Sequence, residues 1–177
     1  GLGLNLFSRE KREKCMDFLL TKPRERGCLF FEKLLAALCL LVASNFFFIL
    51  ESLILYRVYA PAPLMFGRAL LAASSLLWME LLFLSVGAVI AVFARRVRSV
   101  SGLATAIGFA GFLLSALHSL LELENLRYIT PFSYYDTAKA FFDGTYEPKY
   151  ALVGAAVTLA LMVAAYVRYT RADIPAL

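Results

Sequence analysis

Long apolar runs, broken by short polar or proline-bearing stretches, set the pattern of this chain. The runs occupy residues 29–56, 66–94, 101–121 and 150–169. Each reaches the roughly 20 residues that a helix needs to cross a bilayer. The breaks are of different kinds. Tyr59-Ala60-Pro61-Ala62-Pro63 separates the first two runs as a tight turn, because proline fixes the backbone and ends helices. Arg95-Arg96-Val97-Arg98 separates the second from the third. The pattern predicts an all-α fold: a polytopic bundle of four full transmembrane helices.

Residues 13–27 form the longest polar run. Lys14, Asp17, Lys22, Arg24, Glu25 and Arg26 carry charge around the apolar block Phe18-Leu19-Leu20. The stretch 8–21 is compatible with a helix. Ser8 is placed to cap it, Glu10 falls in the first turn, and Lys11, Arg12 and Lys14 face water. Cys15, Phe18 and Leu19 share one face, flanked by Met16 and Leu20. Pro23 ends the helix and Gly27 breaks the chain before the first full span. The expected element is an amphipathic helix at the membrane surface. Residues 1–7 are too short to span. They are expected to be the tail of a span that begins upstream, a reading that a mature terminus mapped at Gly1 by mass spectrometry would remove.

The segment 122–149 is richer than a loop. Thr130-Pro131 is a helix start with proline at the first position, and Asp143-Gly144 is a stop. Phe132, Tyr135, Ala138, Phe141 and Phe142 lie along one face between them. Tyr128, Tyr134, Tyr146 and Tyr150 add aromatic density. Such rings favour the headgroup layer, so a second interfacial helix is expected on the outer surface, with Pro131, Phe132, Tyr135 and Asp136 at its start.

Composition agrees with a membrane class. Of 177 residues, 61% are hydrophobic, and the mean hydropathy is +0.72. A soluble domain of this size cannot hide so much apolar surface. The net charge of +5 does not point to nucleic acid, because the cations cluster at span ends rather than along an aromatic groove. Lys and Arg concentrate at residues 9–33, at 95–98, and at Arg168 and Arg171; the alternate loops dilute theirs with Glu122, Glu124, Asp136, Asp143 and Glu147. The positive-inside rule therefore places 13–27, the Arg95 loop and the C-terminus in the cytoplasm of a plasma-membrane protein. Cys15, Cys28 and Cys39 show no CxxC and no neighbouring His, so no metal site is expected.

Few residues could carry chemistry. Glu80 falls near the middle of the second run, where a charge is costly. Two readings stand: a contact for substrate or a proton, or a carboxyl hydrogen-bonded within the bundle to Asn45 or Ser44. Glu51 follows Ser44 by one heptad, so that face can line a polar path or reach headgroup water. His118 and Glu122 share a face at i, i+4, but no second His or HExxH accompanies them. Small residues recur at four-residue spacing at Ala104-Gly108, Gly111-Ser115-Ser119, Ala151-Ala155 and Gly154-Thr158. They fit a subunit interface or packing within one subunit.

Three motifs carry a resemblance. Glu13, Asp17-Phe18-Leu19-Leu20-Thr21-Lys22-Pro23, Arg26 and the Lys33-Leu34 span start resemble the cytoplasmic stretch of type-2 ABC exporter permeases, which carry a Glu-Phe-Leu-Leu-Thr-Lys-Pro-like run before their third span. Pro131-Phe132-Ser133-Tyr134-Tyr135-Asp136 is similar to that family's outer Pro-Phe-x-Tyr-Phe-Asp. Tyr169-Thr170-Arg171-Ala172-Asp173-Ile174 is similar to its Tyr-x-Arg-Arg-Asp-Ile tail. Ala172 and Tyr135 depart from the pattern. The family has six spans, so the resemblance implies that the first and most of the second are missing here.

The resemblance also implies a permease subunit that dimerises, with itself or a paired permease, and sits on two ATP-binding subunits. It exports a substrate that the sequence does not identify. The matching stretch in the family is the coupling element that enters a groove on the ATPase. Here that assigns Met16, Asp17, Phe18, Leu19, Thr21, Lys22, Pro23 and Arg24, with Phe18 and Leu19 as anchors. The chain contains no G-x-x-x-x-G-K-[ST] run, so ATP and Mg belong on the partner and no cofactor is expected on this chain. Two other classes compete: an intramembrane enzyme built from Glu80, His118, Glu122 and Glu124, and a non-catalytic membrane scaffold.

Overall fold

The computed structural model describes residues 1–13, 26–59, 66–94, 99–121, 128 and 130–171, with the side chains of 9–13 and 26 left aside. Its elements are α1 (Leu2–Glu13), α2 (Arg26–Tyr59), α3 (Phe66–Phe93), α4 (Val100–Leu121), a 3-10 turn (Pro131–Ser133), α5 (Thr137–Phe142) and α6 (Pro148–Arg171). Four helices are long and apolar enough to cross a membrane: Gly27–Tyr59, Phe66–Phe93, Val100–Leu121 and Pro148–Arg171. The protein is an all-α, multi-pass membrane bundle. Its two ends differ in chemistry. One carries Arg168 and Arg171, and the other carries Tyr128, Tyr134, Tyr135 and Tyr146.

The helix α3 is the axis of the bundle. The helices α6, α1, α5 and α2 all pack against it. From Ser85 to Ala91 its buried residues are all small: Ser85, Gly87, Ala88 and Ala91. Small side chains let membrane helices come close, where dispersion contacts replace a hydrophobic drive that lipid does not supply. The closest crossing is with α1. A Cβ on Gly3 would stand 2.5 Å from the Leu84 carbonyl oxygen, and one on Gly87 would stand 3.0 Å from the Leu4 backbone nitrogen. Leu4 and Phe7 of α1 are buried against Phe30, Ala88, Ala91 and Ala165.

Two expectations need correction. Ser8 was expected to cap a helix beginning there, but α1 runs unbroken from Leu2 to Glu13 and Ser8 lies inside it, fully buried. Its hydroxyl donates back to the Leu4 carbonyl. The apolar residues upstream already form helix, so the serine finds a carbonyl one turn back instead of open amides. The helix expected from Pro131 to Phe142 is in two pieces. Pro131 opens a 3-10 turn that ends at Ser133, and Asp136 restarts the chain as the N-cap of α5 by accepting from Ala138 N at 2.9 Å and Lys139 N at 3.2 Å. Aspartate is among the best N-cap residues, and the cap gives the chain its bend. The expected stop holds: Gly144 takes a φ of 72°, which side-chain-bearing residues adopt at a cost.

Phe132, Tyr134 and Tyr135 pack inward, while Phe142 is exposed. Phe132 meets Phe83 at 5.5 Å between ring centres, and Tyr135 stacks on Trp78 at 5.7 Å and 16°. Phe83 is roughly 25 Å from the Phe66 end of α3 at 1.5 Å per residue. The 3-10 turn therefore reaches well down the bundle, between α3 and α4. Gly111 of α4 makes room for Phe132, and Gly154 of α6 makes room for Tyr135, whose ring would be 3.0 Å from an added Cβ. Two of the small-residue positions are thus used within the subunit. Gly108 faces open space.

Candidate functional site

At the arginine-rich end, aromatic rings tie three helices together. Phe30 of α2 meets Phe7 of α1 at 4.9 Å, and Tyr166 and Tyr169 of α6 at 5.4 Å and 5.5 Å. Phe7 also meets Tyr169 at 6.3 Å, and Phe31 meets Tyr166 at 5.4 Å. The Lys33 ammonium is buried here, 5.8 Å from the Phe7 ring centre and 5.4 Å from that of Tyr169. Ring faces attract a cation electrostatically, and more strongly when water is excluded. Arg168 adds a second such contact, 5.8 Å from the Phe93 ring at the end of α3.

The cluster joins Phe7, midway along α1, to Phe30 in the first turns of α2, the two helices that residues 14–25 connect. The predicted coupling residues Met16, Asp17, Phe18, Leu19, Thr21, Lys22, Pro23 and Arg24 lie outside the described residues. What the structure does describe is their footing. Reading the sequence alone missed Phe7, Phe30, Lys33, Tyr166 and Tyr169 as a group. A signal was present: an aromatic residue on each side of the basic run, and a Tyr pair at i, i+3 in the last turns of the final span.

The intramembrane polar candidates separate into two sets. Asn45 and Glu80 come together: Asn45 Nδ2 donates to Glu80 Oε2 at 2.6 Å, joining α2 to α3. This is one of the two hydrogen-bond partners the sequence allowed for Glu80. Ser44 and Glu51 lie elsewhere, both exposed on α2, with Glu51 among Phe47, Leu50 and Ile54. The rival enzymatic set does not assemble among the described residues. Glu80 is engaged with Asn45, His118 is on α4, and Glu122 and Glu124 lie outside the description; no group of three metal-ligating side chains forms among the described residues.

At the tyrosine-rich end, hydroxyls add hydrogen bonds to the ring contacts. Ser74 and Tyr146 share a hydrogen bond at 2.8 Å, and Ser75 and Thr137 share one at 2.7 Å. The Tyr146 hydroxyl also donates to the Leu71 carbonyl, Tyr134 to Tyr128, and Tyr135 to Ala151 at 3.2 Å. Arg68 donates to the Phe142 carbonyl at 2.9 Å, closing the C-terminus of α5. Burial pushes the Tyr134, Tyr135 and Tyr146 hydroxyls above the usual phenol range, so they remain neutral donors. Lys139 and Glu147 pair across the loop.

The family model described as ABC-2 family transporter protein matches residues 2–174, nearly the whole chain. The chain belongs to the ABC-2 transporter family. Searches of curated proteins and of solved structures return no match. The protein is therefore an ABC-2 permease subunit: a multi-pass membrane protein with a transport role. Membership implies pairing with an ABC ATPase subunit, and a transport rather than a catalytic part for this chain.

Proposed function

We propose that this permease exports its substrate at the expense of ATP hydrolysed on separate subunits. Two permease copies, or this permease and a paired one, form the pathway between their spans. Two ABC ATPase subunits, with their ATP and Mg, sit against the arginine-rich end. That end faces the cytoplasm of a plasma-membrane protein, in keeping with the clustering of Lys and Arg there. Met16, Asp17, Phe18, Leu19, Thr21, Lys22, Pro23 and Arg24 are the contact, with Phe18 and Leu19 as the apolar anchors and the charged side chains fixing orientation.

The observation that carries this reading is the ring cluster. Residues 14–25 connect α1 to α2, and Phe7, Phe30 and Tyr169 join both helices to α6. A push on the connecting stretch is then delivered to three helices together and not to a loop alone. Through Gly3 and Gly87 it reaches α3 as well. Closure of the ATPases on nucleotide would bias the bundle between two arrangements, which is how a ligand can drive a change of access.

The test is Phe18→Ala with Lys22→Ala in the subunit co-expressed with an ABC ATPase subunit that binds the wild type. We expect association with the ATPase to weaken and ATP-dependent transport to fall at least tenfold. Normal association with undiminished transport would remove the coupling role of residues 16–24.

A further inference from the structure

The pair Asn45–Glu80 has an imbalance that points to a bound proton. Asn45 is 4% exposed, and its Oδ1 is buried with no hydrogen-bond partner among the described residues. Its Nδ2 is spent on Glu80 Oε2. An ionised carboxylate only accepts, so it cannot supply the donor that Oδ1 lacks. A neutral carboxyl has one O–H to give and one oxygen to receive. It can donate to Oδ1 while accepting from Nδ2, and both groups are then satisfied.

Charge balance favours the same state. Glu80 is the only charged side chain in residues 69–93 of α3, 34–50 of α2, 150–167 of α6 and 2–7 of α1. The ionisable groups on the packed elements are placed elsewhere. Lys33 of α2 is held over Phe7 and Tyr169, and Glu51 is exposed. Tyr150 and Tyr166 stand near opposite ends of α6. Lys139 of α5 pairs with Glu147, and Asp136 caps the same helix. The Gly1 end of α1 lies beside Ala104 of α4. No cation among these holds the carboxylate in a medium where a bare charge is costly.

The pair also occupies a particular place on α2. The buried residues of that helix are Phe30, Ala37, Leu41 and Asn45, a single stripe at spacings of seven and four. Beyond Asn45, none of residues 46–59 is buried. The Tyr56–Phe141 ring contact at 6.5 Å is the tie described there. Asn45 is thus the last tooth of a zip, where α2 parts from α3.

We propose that Asn45 and Glu80 form a proton-binding latch within the membrane. With the proton in place, two hydrogen bonds join α2 to α3 at the parting point. When it leaves, Glu80 Oε and Asn45 Oδ1 become facing acceptors, one bond is lost, and the half of α2 beyond Asn45 is free to swing away. The latch does not depend on what drives the permease, so it stands or falls apart from the coupling reading.

The experiment is infrared spectroscopy of the wild-type protein in phosphatidylcholine vesicles during a pH titration. We expect a protonated-carboxyl carbonyl band at neutral pH that is absent in Glu80→Gln and moves to the frequency of an unbonded acid in Asn45→Leu. If Glu80→Gln does not fold, the shift in Asn45→Leu assigns the band by itself. No such band at neutral pH, or one indifferent to both changes, overturns the proposal. Paired spin labels at Leu55 and Leu70, on a background with Cys15, Cys28 and Cys39 replaced by Ser, read the parting. We expect one narrow distance at neutral pH, broadening and lengthening at alkaline pH in the wild type. The amide of Glu80→Gln keeps both hydrogen bonds without titrating, so that variant should keep the narrow distance. Equal behaviour of the two across the titration would also overturn the latch.

Discussion

The two ends of this bundle are fastened by different chemistry. At the arginine-rich end, α1, α2 and α6 meet through Phe7, Phe30, Tyr166 and Tyr169 and through the ammonium of Lys33. At the tyrosine-rich end, hydroxyl hydrogen bonds join the ring contacts: Tyr146 to Leu71, Ser75 with Thr137, and Tyr135 to Ala151. Ring contacts are broad in geometry and survive small rotations. Hydrogen bonds weaken steeply off their line. The difference makes a division of labour: the ring-packed end can shift its packing while the hydrogen-bonded end keeps its register. Trp78, the one tryptophan in the chain, stacks on Tyr135 and so reports on that contact.

The largest effect is expected from Phe30→Ala. Phe30 is 1% exposed and touches four other rings. Truncation leaves a cavity and should cost about 3 kcal/mol, read as thermal unfolding in lipid nanodiscs. Trp78 emission in the folded protein should be unchanged. A shift in that emission would show that the two ends are one unit, and the comparison would fail.

Next is Gly154→Val, the converse experiment. Its Cβ would stand 3.0 Å from the Tyr135 ring and 3.1 Å from the Tyr134 Cβ. Over-packing of this kind costs about 2 kcal/mol. It should lift Tyr135 off Trp78 and change the emission, while leaving binding of an ABC ATPase at the other end intact. Combined with Phe30→Ala, the losses should add if the ends are independent.

How much of this could be read in the residues follows from what is local and what is not. The four spans lie within three residues of their predicted bounds, because apolar length is a local property. The meeting of Asn45 with Glu80 was one of two hydrogen-bond partners open to the carboxyl, since both residues lie midway along their spans. The Asp136 cap was visible in principle: an aspartate before Thr137-Ala138-Lys139 is an N-terminus signal, overshadowed by the proline start at Pro131. Gly3 against Gly87 was not legible. Nothing in either neighbourhood says which other backbone will approach, and only the assembled crossing of α1 on α3 makes those glycines necessary. The same holds for Tyr134 and Tyr135. Their rings suit a headgroup layer by type, yet the room left by Gly154 draws them inward.

A smaller effect is expected from Lys33→Met. The change keeps the stem's apolar packing and removes the cation held over Phe7 and Tyr169, so the loss should be about 1 kcal/mol. Lys33→Arg should recover most of it. Equal unfolding temperatures for wild type, Met and Arg variants would mean the ammonium adds nothing to the ring cluster.

The smallest expected effect is Tyr135→Phe, and it sharpens the comparison most. The ring and its stack on Trp78 remain; only the hydroxyl that donates to the Ala151 carbonyl at 3.2 Å is lost. Polar ties between membrane helices average about 0.6 kcal/mol, so the unfolding shift should be slight. The pH dependence is more telling. Burial, with Tyr146 nearby, raises the Tyr135 hydroxyl above the ordinary phenol value of about 10. A group raised in the folded state lends stability that is whole below its unfolded value and is lost as pH rises through the folded one. Wild type should therefore lose stability at strongly alkaline pH, with Trp78 emission changing as it does. In Tyr135→Phe the alkaline loss should be smaller by that hydroxyl's share, leaving those of Tyr134 and Tyr146. An identical alkaline profile in both proteins would mean that the ring alone, and not its directed hydrogen bond, holds the far end, and the contrast between the two ends would reduce to one of position.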